Sequence, residues 1–309
     1  MQSTRRSVLF PRLTAEEITE MDSAFYTDMF REDLSFLLPS YDQASSVIRL
    51  EPASQNVEQL IEEALCVHHA RGFAAAVSEF IRFAAMSITG YGVAYYEITY
   101  ESETLDKEPV AFHFQRIDPE SVLIVGTAVY QKIDPRVAQE RRCPKWIHIP
   151  RKTVLKLSPP GRWVAEFRQI AYALTVLSRV TLPDFAIPDI ARSRSVPVDN
   201  LDYLNTQQMA VLAATKRTGW NIRGLSSGKI SGYYWFQRYL RFEKLKIQLR
   251  NELVNGLNDG LQRAGAKLGF SARIVVSDLP SESDVSAAEC ELDLGSKVMG
   301  EIIKPFLRA

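Results

Sequence analysis

Residues 88–100 read ITGYGVAYYEITY, and their reading decides the fold. Apolar residues at helical spacing (Phe73, Val77, Phe80, Ile81, Ala84, Ile88) run into the two glycines, and a strand-like alternation of Val93, Tyr95, Glu97 and Thr99 runs out of them. A dinucleotide-binding turn has the opposite order, strand then glycine then helix, because the amides at a helix N-terminus hold the phosphates. Here the glycines follow the helix. Gly90 is expected to cap it in a left-handed conformation, and Gly92 to open a strand. No third glycine completes the motif, and no Gly-Lys-Ser/Thr phosphate loop occurs anywhere in the chain.

Outward from this corner, helical spacing over 57–89, interrupted at Gly72, predicts two consecutive helices or one kinked helix. Downstream, GVAYYEITYE, PVAFHFQRI, SVLIVGTAVYQKI and WIHIPRKTVLKLS are rich in Val, Ile, Tyr and Phe and follow one another without intervening helices, which predicts an antiparallel meander over 92–157. Helix returns over 164–179 and near 205–215, on either side of a proline-rich loop at 181–202. From Trp235 to Leu261, apolar residues at steps of three or four mark a helix of about 30 residues, roughly 45 Å long. ARIVVSDLP then reads as a short strand, and Ser281 with Asp284 starts a last helix that breaks near Gly295.

Composition narrows the function. The chain has 309 residues, with 37 Lys or Arg against 37 Asp or Glu, so any polyanion or membrane contact must come from a local patch. Its three cysteines, Cys66, Cys143 and Cys290, are far apart and odd in number, which suits a reducing compartment better than a disulfide framework. No run of about 18 apolar residues occurs, so a soluble, unsecreted protein is expected, without membrane contact. Candidate chemistry is thin. Cys66 and His69 have metal-ligand spacing but no second pair; His113 and His148 stand isolated in strand patterns; Asp118 and Glu120 flank an Asp-Pro turn. No catalytic residue, metal site or cofactor is therefore expected. The cations of HIPRKTVLKLSPPGRW read as strand-edge charges that discourage aggregation.

Charge is nonetheless segregated. Residues 216–273 hold twelve Lys or Arg against three acids, and residues 278–309 hold seven acids against three cations. The basic face serves either a nucleic acid or the acidic tail, with Glu289, Glu291 and Asp293 as partners in the second case.

The order of these elements resembles that of tailed-bacteriophage portal proteins, which form head-tail connector rings. The resemblance is carried by YGVAYYEITY, PVAFHFQRIDPESVLIV, HIPRKTVLKLSPPG, the long basic helix, ARIVVSDLP and SESDVSAAECELDLG, over roughly 57–309. It implies an α+β, portal-like fold: a helical bundle with an antiparallel β wing, a long stem-type helix and a short clip-like strand. The expected divisions are an N-terminal arm (1–56), a wing-like domain (57–232), the stem-type helix (233–265), a clip-like segment (266–281) and a C-terminal helix (282–309). Tyr91, Gly92 and Tyr95 would be fold residues of the wing. The implied function is structural and non-enzymatic: a homo-oligomeric ring, usually of twelve subunits, at the vertex of a virion assembled in the host cytoplasm. Its partners would be double-stranded DNA, capsid protein, a packaging motor and tail or adaptor proteins. Arg238, Arg241, Lys244 and Lys246 on the long helix are the expected DNA-facing residues. The alternatives are a nucleic-acid-processing enzyme or accessory factor using 216–273, and a monomeric α+β ligand-binding protein.

Overall fold

A computed structural model describes residues 25–39, 41–67, 70–102, 108–161, 163–181, 200–223 and 231–308. Most of the proline-rich loop, with the RSRS run, lies outside them. In chain order come α1 (Phe25–Ser35), α2 (Tyr41–Val47), β1 (Ile48–Glu51), α3 (Gln55–Ala64) and α4 (Phe73–Tyr91). There follow β2 (Ala94–Glu101), β3 (Ala111–Ile117), β4 (Val122–Val125), β5 (Ala128–Lys132), α5 (Pro135–Glu140), β6 (Trp146–Ile149) and β7 (Val154–Leu157). The remainder is α6 (Trp163–Thr181), α7 (Asn200–Ala214), α8 (Gly232–Leu268), β8 (Arg273–Val276), α9 (Glu282–Leu294) and α10 (Met299–Ile303). The α+β class expected from the sequence holds.

The opening corner is helix to strand, with one shift. Helix α4 runs through Gly90 to Tyr91, and the left-handed cap is Gly92, at φ 75°, whose N–H donates to Ile88 O at 2.7 Å. Gly90 serves close approach instead, because the Arg31 guanidinium fills the space a Cβ would take. By length and composition α4 is apolar enough to cross a membrane, yet it is the central core helix, with Val77, Ile81, Ala84, Ala85 and Ile88 fully buried. It packs against α1, α2 and α6, and Phe30 of α1 also meets Trp220, in the turn after α7, edge-on at 5.4 Å.

The strands of 92–157 are antiparallel but do not make one meander. β2 pairs with β3 on one side and, past three other strands, with β7 on the other; β4, β5 and β6 form a second sheet. Val93, Tyr95, Ile117, Val129, Ile149 and Val154 form a small core shared between the two. The short strand read from ARIVVSDLP is β8. β8 pairs antiparallel with β1, Ile48 opposite Val276, so a segment assigned to the N-terminal arm supplies its partner. Asn258 of α8 seals this ribbon, donating to Ile274 O and accepting from Ile274 N at 2.9 and 2.7 Å.

Helix α8 has 37 residues, about 56 Å at 1.5 Å per residue. Ser231 caps its start by accepting from Tyr234 N, and Gly269, at φ 75°, ends it. Leu245, Leu249, Leu253, Leu257 and Leu261 enter the main core, while Leu240 and Ile247 pack against Val285, Ala288 and Leu292 of α9. Gly256 and Gly260 let α8 lie close on the first sheet; a Cβ at 260 would sit 2.9 Å from Phe114 Cε1 and 3.2 Å from Leu155 Cδ2. The sequence leads one to expect that a neighbouring subunit must cover a helix this long. In the fold the chain itself covers two apolar stripes of the helix, while Asn251, Glu252, Asn255 and Asp259 stay exposed.

Candidate nucleic-acid interface

The four cations expected to face DNA do not form one open row. Arg238 is fully buried, which corrects its assignment. Its guanidinium donates to Leu212 O at 2.9 Å, Thr215 Oγ1 at 2.8 Å, Asn221 Oδ1 at 3.0 Å and, most closely, Trp220 O. Leu212 is in the last turn of α7, whose final carbonyls lack helical partners, so Arg238 caps that helix and opposes the negative end of its dipole. Burial pushes this guanidinium below its ordinary range, and the Tyr234 hydroxyl works the other way. Arg241 donates to Lys216 O at 2.8 Å, and Lys246 reaches Glu243 at 3.1 Å with a side chain 18% exposed. Lys244 has no hydrogen bond or ion pair among the described residues.

The same holds for the whole basic segment. Of its eleven described cations, nine are committed within the chain. Arg217 pairs with Glu166 at 2.6 Å, Arg223 grips Asp33 and Glu32, and Arg273 pairs with Glu51 at 3.2 Å. Arg250 donates to Pro280 O and Arg263 to Val154 O, at 2.7 and 2.9 Å, and the Lys267 ammonium sits 4.0 Å from the centre of the Tyr100 ring. Among the described residues the acids of the tail form no ion pair with them either. Glu291 pairs with Lys297 at 2.5 Å, and Asp293 accepts from the Tyr233 hydroxyl at 2.6 Å. Most of the segment's excess charge therefore braces α8 against its surroundings.

Two residues that stand apart in the sequence meet in space. Cys66, held at φ 54°, places Sγ 3.6 Å from His113 Nδ1, and His113 Nε2 is 3.1 Å from Glu101 Oε1. A groove of about 530 Å³, walled by Phe80, Phe83 and Tyr96, opens beside them. The order thiol, imidazole, carboxylate is that of an activated nucleophile, but burial and the Glu101 charge push the thiol above its ordinary value and withhold the thiolate. Among the described residues, no three His, Cys, Asp or Glu side chains converge for a metal; His69 lies outside them. Asp118 accepts from Glu120 N and caps a short turn, and His148 packs edge-on to Tyr130 at 5.4 Å.

Reasoning from the sequence passed over the cations that remain open. Lys132, Arg136, Arg141, Arg142, Lys145, Arg151 and Lys152, on and around the β4–β5–β6 sheet, are all exposed. Their sequence signal is the short basic runs RRCPKW and PRK, of which only PRK lies within the segment read as strand-edge charge.

The architecture among the described residues is thus an α+β core braced by a long, internally committed helix, with two three-stranded antiparallel sheets and the two-stranded β1–β8 ribbon. No family model and no curated protein matches the chain. In fold it is similar to a chain of the virion of a native gene transfer agent (GTA) particle, with 11% identity, a TM-score of 0.52, and coverage of 95% of this chain and 92% of that one. It is also similar to a chain from the neck of an empty GTA particle computed with C6 symmetry, with 11% identity, a TM-score of 0.51 and coverage of 89% of each chain. The shared fold therefore spans most of both chains.

Proposed function

We propose that the chain is a structural subunit of the head-tail connector of a phage-like particle: a portal-type ring that double-stranded DNA crosses, without catalysis of its own. The observation that carries this reading is the fold match to the neck chain, which runs over 89% of both partners rather than over one common motif. That neck was computed with C6 symmetry, which supports a subunit repeated about an axis. The internal bracing of α8 supports a load-bearing element. In this reading copies meet through heterologous contacts that close into a ring, and capsid protein, a packaging motor and tail or adaptor proteins dock on it. Packaging energy comes from the separate motor, consistent with the lack of a phosphate loop in the sequence.

Mass photometry of the purified protein tests the reading. The expected result is a discrete species at a fixed multiple of the 35.0 kDa chain, near 420 kDa for twelve copies. A folded protein that stays at 35.0 kDa over a wide range of concentration and salt refutes it.

A further inference from the structure

Among the described residues, a cluster of open positive charge lies on and around the β4–β5–β6 sheet. Between residues 122 and 152 seven Lys or Arg face two acids, Asp134 and Glu140. All seven cations are exposed, and none makes a side-chain hydrogen bond or ion pair among the described residues. Asp134 is engaged in capping α5, accepting from Arg136 N at 2.8 Å. The loop that carries most of the charge is built rather than loose. Ile133 N donates to Lys145 O at 2.9 Å and Cys143 N to Ala138 O at 3.0 Å, which closes α5 between the strands.

The layout suits a linear polyanion. Lys132 sits directly opposite Trp146 across the β5–β6 pair, so Lys132, Lys145 and the α5 loop mark one end of the sheet. Arg151 and Lys152, beyond Ile149, mark the other. Four residues at about 3.3 Å separate the ends by about 13 Å, the axial length of about four base pairs. Between them the face offers Leu123, Tyr130, Trp146 and His148, with no carboxylate in the ladder and no fork of donors aimed at one point.

We infer that this sheet contacts the phosphodiester backbone of nucleic acid, through charge and without reading sequence. The inference rests on the connector reading for the presence of DNA at the protein. It differs in the surface it names: the DNA contact belongs to Arg136, Arg141, Arg142, Lys145 and their neighbours, not to α8.

The test uses the full chain in its native assembly and a labelled 30-base-pair duplex, with binding followed by anisotropy from 50 to 200 mM salt. A variant with Arg136→Gln, Arg141→Gln, Arg142→Gln and Lys145→Gln is compared with a control carrying Lys216→Gln and Lys244→Gln, the open cations of the α8 region. Each phosphate contact contributes about −0.9 to the slope of log affinity on log salt, so with all four in contact the parent loses about 100-fold more affinity over this range than the sheet variant. The control keeps most of the parent's slope. Parallel salt lines for parent and sheet variant overturn the inference, as does a parent that does not bind the duplex. A sheet variant that falls apart into monomers while the parent stays assembled also overturns it, because the cations then serve the acidic α9 face of a second copy. A parent that is monomeric but shows the expected loss of slope sinks the connector reading and leaves this inference standing.

Discussion

Replacing Arg238 separates a structural cation from a DNA-facing one. In Arg238→Met the aliphatic bulk is kept and the charge is lost. Leu212 O then loses the donor 2.9 Å away, and Trp220 O keeps only the Thr215 hydroxyl at 3.2 Å. Hydrogen bonds from a charged donor are worth about 1.5–3 kcal/mol, and a buried acceptor left dry costs about 1–3 kcal/mol. Against this, removing a buried guanidinium with no carboxylate partner recovers part of its desolvation cost. The balance is a loss of about 3 kcal/mol in unfolding free energy, read by urea unfolding in far-UV circular dichroism at a fixed protein concentration. Arg238→Lys keeps a charge but not the planar fork, so it falls between parent and Met variant. The salt slope of DNA binding stays at the parent value in both. A Met variant within about 0.5 kcal/mol of the parent with a flatter salt slope refutes the reasoning, because Arg238 would then face solvent and phosphate.

Gly260→Ala should destabilise the fold although alanine favours helix by about 1 kcal/mol, because the new Cβ meets Phe114 Cε1 at 2.9 Å and Leu155 Cδ2 at 3.2 Å in a packed sheet. A net loss of about 1–2 kcal/mol is expected in the same unfolding assay, and a stabilised variant rules out the close approach of α8 to the sheet. At the start of α9, Ser281 and Asp284 form a reciprocal cap, and the Ser281 hydroxyl and amide hold the Asp284 carboxyl below its ordinary value. Its contribution is therefore complete above the ordinary carboxylate range and is lost as pH falls through the depressed value. Ser281→Ala should cost about 1 kcal/mol near neutrality and less once Asp284 is protonated, because only the hydroxyl-to-carboxylate bond titrates and the Asp284 N–H bond to the hydroxyl does not; a gap between the thermal midpoints that does not narrow on acidification counts against the cap.

Periodicity carried much of the fold. The stripe from Trp235 to Leu261 marked α8, Gly72 marked the break between α3 and α4, and Ser281 with Asp284 marked the start of α9. What it did not carry is pairing across distance. Nothing local to VLKLS says that it returns to β2 past three other strands, or that IRLE near the N-terminus becomes the partner of β8. Those choices are made by which apolar faces share a core, as Tyr95, Ile149 and Val154 do. The Cys66–His113 contact was hidden for the same reason, since its partners lie 47 residues apart.

The candidate interface failed at a more specific step. A net charge over a segment counts every cation alike, whereas attraction to phosphate depends on the charges left uncommitted by the fold. Arginine in particular spans distance: Arg238, Arg250 and Arg263 reach carbonyls 26, 30 and 109 residues away and tie α8 to other elements. The amphipathic pattern of α8 placed Arg238 off the apolar stripe, yet off the stripe is not the same as open to water when α7 and the 219–222 turn close over that side. The β4–β5–β6 sheet is covered on the face of Val129 and Ile149, but its cations lie beyond that cover. Leu123, Ile124 and Val125 of β4 remain 40, 48 and 57% exposed, so little of the described structure covers this edge. The shorter RRCPKW run thus leaves more charge available to a partner than the longer basic helix, and the open cations should be sought where the fold is thinnest.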